Sequence, residues 1–66
     1  MRLTINGNIQ EHPDGITGAE LLERIDWTVA TLVAEVNGSI VRRAEFLGLE
    51  LHDGDQLELV TVVGGG

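Results

Sequence analysis

The chain has 66 residues, with eleven Asp and Glu against four Arg, no lysine and no cysteine, for a formal net charge of −7. That length supports one thin domain, since a chain of about 60 residues buries only about 60% of the surface its unfolded form exposes. Without lysine there is no P-loop and no Schiff base; without cysteine there is no disulfide staple, thiolate nucleophile or ordinary zinc site, and so acid a chain cannot assemble the basic surface that nucleic acid requires.

"MRLTIN" alternates, with Leu3 and Ile5 on one face and Arg2, Thr4 and Asn6 on the other, the pattern of a half-buried strand. Asn6-Gly7 is a strong hairpin signal because both residues tolerate positive φ, and "IQEH" reads as the return strand, closed by the turn residues Pro13-Asp14-Gly15. Thr17 and Glu20 are spaced as a capping box, with Ile16 and Leu21 placed for a hydrophobic staple. The helix "GAELLERI" then sets Ala19, Leu22 and Ile25 to one side and Glu20, Glu23 and Arg24 to the other, ending near Ile25 or Asp26. Trp27 follows and is expected to cap the edge of the core.

"TLVAEVNG" alternates again, with Leu32, Ala34 and Val36 in one phase and Val33 and Glu35 in the other. "NGS" turns the chain, "IV" starts a short strand, "RRAEF" suits one helical turn, and "LGLEL" alternates so that Leu47, Leu49 and Leu51 are expected to point inward. After the tight turn "HDGD" comes "QLELVTVV", the strongest strand-former in the chain. Leu57, Leu59 and Val63 share one phase with Thr61, and Val60 and Val62 share the other with Glu58. A strand apolar on both faces is central, or keeps one face for a partner.

First and last strands that are both central lie side by side and parallel, with the helix across one face. The expected class is therefore α+β: a β-grasp with a mixed sheet of four to five strands over residues 1–63 and a flexible glycine tail at 64–66.

Side chains offer little for catalysis. Ser39 sits in a turn with neither the strained elbow of a hydrolase nucleophile nor the helix start that a phosphopantetheine arm needs; His12 and His52 read as solvated loop residues. Neither a catalytic residue nor a metal ligand is assigned. No apolar run approaches membrane-spanning length and no stretch has the form of a signal peptide, so a soluble, cytoplasmic domain with no membrane partner is expected. The acid serves either solubility or steering toward a basic surface on another protein.

The closing "VVGGG" carries what chemistry there is. An arm without side chains threads a channel too narrow for other residues, and glycine adopts whatever dihedrals that channel demands. A terminal α-carboxylate is inert as it stands, and adenylation by a partner converts it to an acyl phosphate anhydride open to attack by sulfur or nitrogen.

Five segments together, "INGN", "TGAELLERI", "VAEVNGSIVRRAEF", "DGDQLELV" and the terminal "VVGGG", resemble the ThiS family of small ubiquitin-like sulfur carriers of bacterial thiamine biosynthesis, over essentially the whole chain. The family's shared ending is Gly-Gly, and here Gly64 precedes it. The resemblance implies that an adenylating enzyme of ThiF type, related to ubiquitin-activating enzymes, uses ATP to form an acyl adenylate on Gly66. Sulfur drawn from cysteine through a desulfurase then replaces AMP and leaves a thiocarboxylate, which thiazole synthase (ThiG type) consumes. Gly64 and Gly65 would thread the partner's channel, and the carrier itself would bind no cofactor. In such carriers the partner also grips the exposed sheet face, for which Val33, Val60 and Val62 are the candidates here. A molybdopterin-type sulfur carrier and a ubiquitin-like protein modifier are the alternatives that share this fold and ending.

Overall fold

The computed structural model describes residues 1–28 and 32–61. Five strands and two helices follow one another as β1 (Arg2–Ile5), β2 (Asn8–Glu11), α1 (Gly18–Arg24), β3 (Val33–Val36), β4 (Ser39–Arg42), α2 (Arg43–Gly48) and β5 (Gln56–Val60). They build one mixed sheet in the order β2-β1-β5-β3-β4. The last strand is central, parallel to β1 on one side and antiparallel to β3 on the other. This is the β-grasp expected from the sequence, with five strands.

Both hairpins turn on Asn-Gly. Asn6 and Gly7 have φ of 49° and 82°, Asn37 and Gly38 of 50° and 85°, the left-handed pair that matches the twist of the flanking strands. The start of α1 is as the sequence predicts. Thr17 Oγ1 accepts from the Glu20 amide while the Glu20 carboxylate accepts from the Thr17 amide, and Ile16 and Leu21 are both buried. The helix ends with Asp26 in the left-handed region (φ 57°), where glycine is usual. The Trp27 amide donates to the Leu22 carbonyl and the Asp26 amide to that of Glu23, which satisfies two carbonyls that the helix end would otherwise leave open.

The two helices cover one face of the sheet. Leu3, Ile5, Ala34, Leu57 and Leu59 point up from the strands into Leu21 and Leu22 of α1 and Phe46 of α2, with Leu51 filling in beneath. Trp27 is partly buried against this cluster, at the edge where the sequence puts it. The helices touch through Gly18: a Cβ there would lie 2.0 Å from the Phe46 carbonyl oxygen and 2.8 Å from its ring. Only glycine permits that approach, and the Gly18 amide uses it to donate to the Leu49 carbonyl.

Four local expectations change. "LGLEL" turns its three leucines inward as expected but without a strand's alternation: Leu47 and Gly48 end α2, Leu51 is fully buried, and Leu47 and Leu49 are half-buried against the core. The buried stripe of α1 centres on Gly18, Leu21 and Leu22, with Ala19 and Ile25 half-buried at its margin. Ser39 opens β4 and does not sit in the turn. And β5 is one-sided over its described length, with Leu57 and Leu59 buried and Gln56, Glu58 and Val60 exposed, since none of the described elements covers the second face. The expectations for Val62 and Val63, and for the tail at 64–66, lie outside the described residues.

Candidate functional site

The strand that leads to the terminal glycines is held at both ends by side-chain amides. At its start, the Gln56 amide donates to Asn37 Oδ1 (2.9 Å) and the Asn37 amide to the Gln56 carbonyl (2.8 Å), while Asn37 Nδ2 donates to Asp55 Oδ1 (2.9 Å). Asp55 also caps its own turn through the His52 amide (2.8 Å). At the far end, Asn6 takes the place of a backbone peptide: the Leu59 amide donates to Asn6 Oδ1 (2.8 Å) and Asn6 Nδ2 donates to the Leu59 carbonyl (3.2 Å). Strand β1 has already turned away there, so one side chain prolongs the ladder to the residue before Val60. The "NG" dipeptides signal the turns but give no hint of these second roles.

Val60 is the last residue of β5, and its direct cross-strand neighbour is Val33. Both face away from the helices, 55% and 37% exposed. Two of the three valines proposed for a partner face are thus side by side at the point where β5 ends; the third, Val62, lies outside the described residues. The same face holds two features missed in the sequence. Ile40, 76% exposed, is paired with Glu35 on β4, and Glu35 is directly opposite Glu58 on β5. Register alone reveals this, because the two glutamates are 23 positions apart in the chain (58 − 35) and only pairing makes them neighbours. Ile9, 67% exposed, lies across Thr4 at the other margin of the same face.

The titratable groups elsewhere are structural. The Met1 ammonium donates to the His12 carbonyl (2.6 Å) and pairs with Asp14 (2.8 Å). The hydrogen bond to Asp14 raises its pKa above the usual amine value, and the same bond lowers that of Asp14. His12 is no free loop residue. Its Nε2 donates to Gln10 Oε1 (2.8 Å) and its Nδ1 accepts from Arg24 Nε (3.1 Å), joining β2 to the end of α1. Partial burial, then the Arg24 and Met1 charges, hold its pKa below the ordinary histidine value. His52 is exposed, 3.8 Å from Glu50. Neither imidazole meets Ser39 in a hydrogen bond, and the described residues assemble no nucleophile with a base.

The arrangement defines a class: a ubiquitin-type β-grasp domain, a mixed five-stranded sheet with its helices on one face and β5 at its centre. The comparisons with known proteins agree. The ThiS family model matches residues 3–66. The sulfur carrier protein ThiS of Escherichia coli is 33% identical over the full length of both chains. A thiazole synthase of Paramagnetospirillum magneticum is 32% identical over 66 residues; the chain spans only 20% of that relative's length. The crystal structure of a thiamine biosynthesis protein (ThiS) from Geobacter metallireducens superposes with a TM-score of 0.84 at 30% identity, covering all of both chains. Its solution structure gives 0.72 at 31%, covering this whole chain and 88% of that one. The chain belongs to the ThiS family, a small sulfur carrier of thiamine biosynthesis and not a catalyst.

Proposed function

We propose that the α-carboxylate of Gly66 is the atom group that carries sulfur, that Gly64 and Gly65 thread it into partner active sites, and that residues 1–63 act as the handle. The observation that carries this reading is the central position of β5, which runs from two clamped ends toward the glycines with Val33 and Val60 exposed beside its exit. A central strand gives the arm a rigid base, and an arm of glycine loses much freedom on ordering, so the partner must supply hydrogen bonds along it.

The chemistry belongs to the partners. On a ThiF-type adenylating enzyme, a Gly66 carboxylate oxygen attacks the α-phosphorus of ATP, pyrophosphate leaves, and a mixed anhydride with AMP forms. A persulfide, charged from cysteine by a desulfurase, attacks the acyl carbon through its outer sulfur; the C–S bond forms and the C–O bond to AMP breaks, and a thiol then reduces the resulting acyl disulfide, leaving a thiocarboxylate and a disulfide. Thiazole synthase of ThiG type then takes that sulfur, a pairing supported by the full-length likeness of this chain to a segment of one such synthase. All of these steps are cytoplasmic. Val33, Val60 and Val62 form the apolar contact that seats each partner.

The test is intact mass after incubation with the adenylating enzyme, ATP and a sulfur donor. One oxygen-to-sulfur exchange is expected, and fragmentation places it on Gly66. Removing Gly66, or adding an alanine after it, abolishes the gain; an undiminished gain in either variant overturns the assignment.

A further inference from the structure

The open face carries a cost that the fold does not need. Glu35 and Glu58 are directly opposite across the β3–β5 ladder, so their Cβ atoms are about 4.5–5.5 Å apart, an arrangement in which like charges repel. Among the described residues no ion pair relieves it. There is no lysine, and of the four arginines Arg2 pairs with Glu11, Arg24 bonds His12, Arg43 opens α2, and Arg42 is across from Val33; none forms an ion pair with either glutamate. Exposed apolar side chains lie beside the two carboxylates, Ile40 across from Glu35 in the next strand and the Val33–Val60 pair two residues along, and the same face carries Arg42 and Gln56.

We infer that this face docks an arginine of the adenylating enzyme between Glu35 and Glu58, with apolar side chains of that enzyme over Val33, Val60 and Ile40. The inference rests on the carrier reading above and names what its partner must present. Two carboxylates at cross-strand spacing suit one planar guanidinium, which presents hydrogen-bond donors on two edges; a compact ammonium satisfies one carboxylate at a time. In the complex the guanidinium's attraction to both carboxylates offsets their mutual repulsion, which the free carrier leaves unopposed. The enzyme is the right occupant because it must hold anionic ATP beside an anionic carboxylate, and the mouth that receives the arm therefore carries surplus cations. Val60 ends β5, which puts that mouth next to this face. An acidic patch facing a cationic one also speeds encounter, in a manner that salt screens.

Equilibrium and stopped-flow binding to the adenylating enzyme, at low and at physiological salt, test the inference on four chains: the parent, Glu35→Gln, Glu58→Gln and the double variant. Both substitution sites are exposed, so the variants are expected to retain the fold, which thermal melting verifies. The double variant is expected to associate roughly tenfold more slowly with a flattened salt dependence, the singles to fall between, and a control pair on the helices, Glu23→Gln with Glu45→Gln, to change association much less. Unchanged association in the double variant, an equal loss in the helix control, or a loss seen only with thiazole synthase would overturn the inference. Failure of the parent itself to gain sulfur would instead strike the carrier reading, and the binding comparison would still stand on its own.

Discussion

The two faces of this one sheet are built on opposite rules. Under the helices, Leu3, Ile5, Leu57 and Leu59 are almost fully buried within one apolar cluster. On the other side the same strands present Thr4, Glu58, Glu35, Val33 and Val60 to solvent, with two like charges opposed and exposed aliphatic side chains beside them. Stability is concentrated on the first face, since burial contributes about 25 cal/mol for each Å² of apolar surface withdrawn from water. The second face contributes little to folding and leaves repulsion uncompensated. A 66-residue domain has little stability in reserve, so a cost retained on an exposed face points to a use for that face.

The contrast breaks most severely at Gly18, where the covered side has no spare volume. Gly18→Ala puts a methyl 2.0 Å from a backbone oxygen of Phe46, and relief requires the two helices to part. The expected loss is about 3 kcal/mol, the upper end of what overpacking costs, and most of what so small a core supplies. Chemical denaturation checks it, and a loss under about 1 kcal/mol would show that the helices can separate freely.

Next comes the clamp at the exit of β5. Asn6→Gly keeps a residue tolerant of positive φ in the turn and removes only the amide, leaving the Leu59 N–H and C=O without their partner. The expected loss is about 1–3 kcal/mol, together with faster hydrogen exchange at the Leu59 amide. Asn37→Gly removes the matching grip at the start of the strand and is expected to cost less, because that site is exposed to water. Equal losses at the two ends would mean that the turns, and not the amides, hold β5.

These sites show where sequence reading reaches and where it stops. Alternation, the Asn-Gly turns and the Thr17–Glu20 box are local patterns, and from them follow the strands, the helix start and the order that makes β5 central. "LGLEL" misleads because its leucines alternate as a strand would, while Phe46, one step earlier, has already taken the buried site and wound the chain into α2. The second face is legible only in part. Val33 and Val60 stand out as apolar residues in the polar phase, yet the Glu35–Glu58 opposition depends on a register that no local window contains. The same holds for Asn6: a turn residue by sequence, a ladder extension by geometry.

A smaller effect comes from pH. His12 bonds Arg24 through an unprotonated Nδ1, and its pKa lies below the ordinary histidine value, so the unfolded chain takes up a proton more readily than the folded one. Stability from this site is complete above about 6.5 and is lost as pH falls through the lower, folded-state value. Melting temperature followed from neutral to mildly acidic pH should decline through that window, and His12→Gln should flatten the decline. An NMR titration that puts the His12 pKa at or above 6.5 would contradict the sign.

The smallest expected effect has the opposite direction, and that makes it the sharpest test of the contrast between the faces. Glu58→Gln keeps the shape of the side chain and removes one of two opposed charges on the open face, so the isolated domain should become more stable by about 0.2–1 kcal/mol, the range of a cross-strand pair. High salt should erase the gain by screening the parental repulsion. On the covered face no substitution that weakens a contact can stabilise the fold. If Glu58→Gln stabilises the free chain while slowing its association with the adenylating enzyme, the two sides of the sheet serve different ends. If it destabilises the free chain at low salt, the glutamates support the fold, and the distinction between a face for folding and a face for recognition is lost.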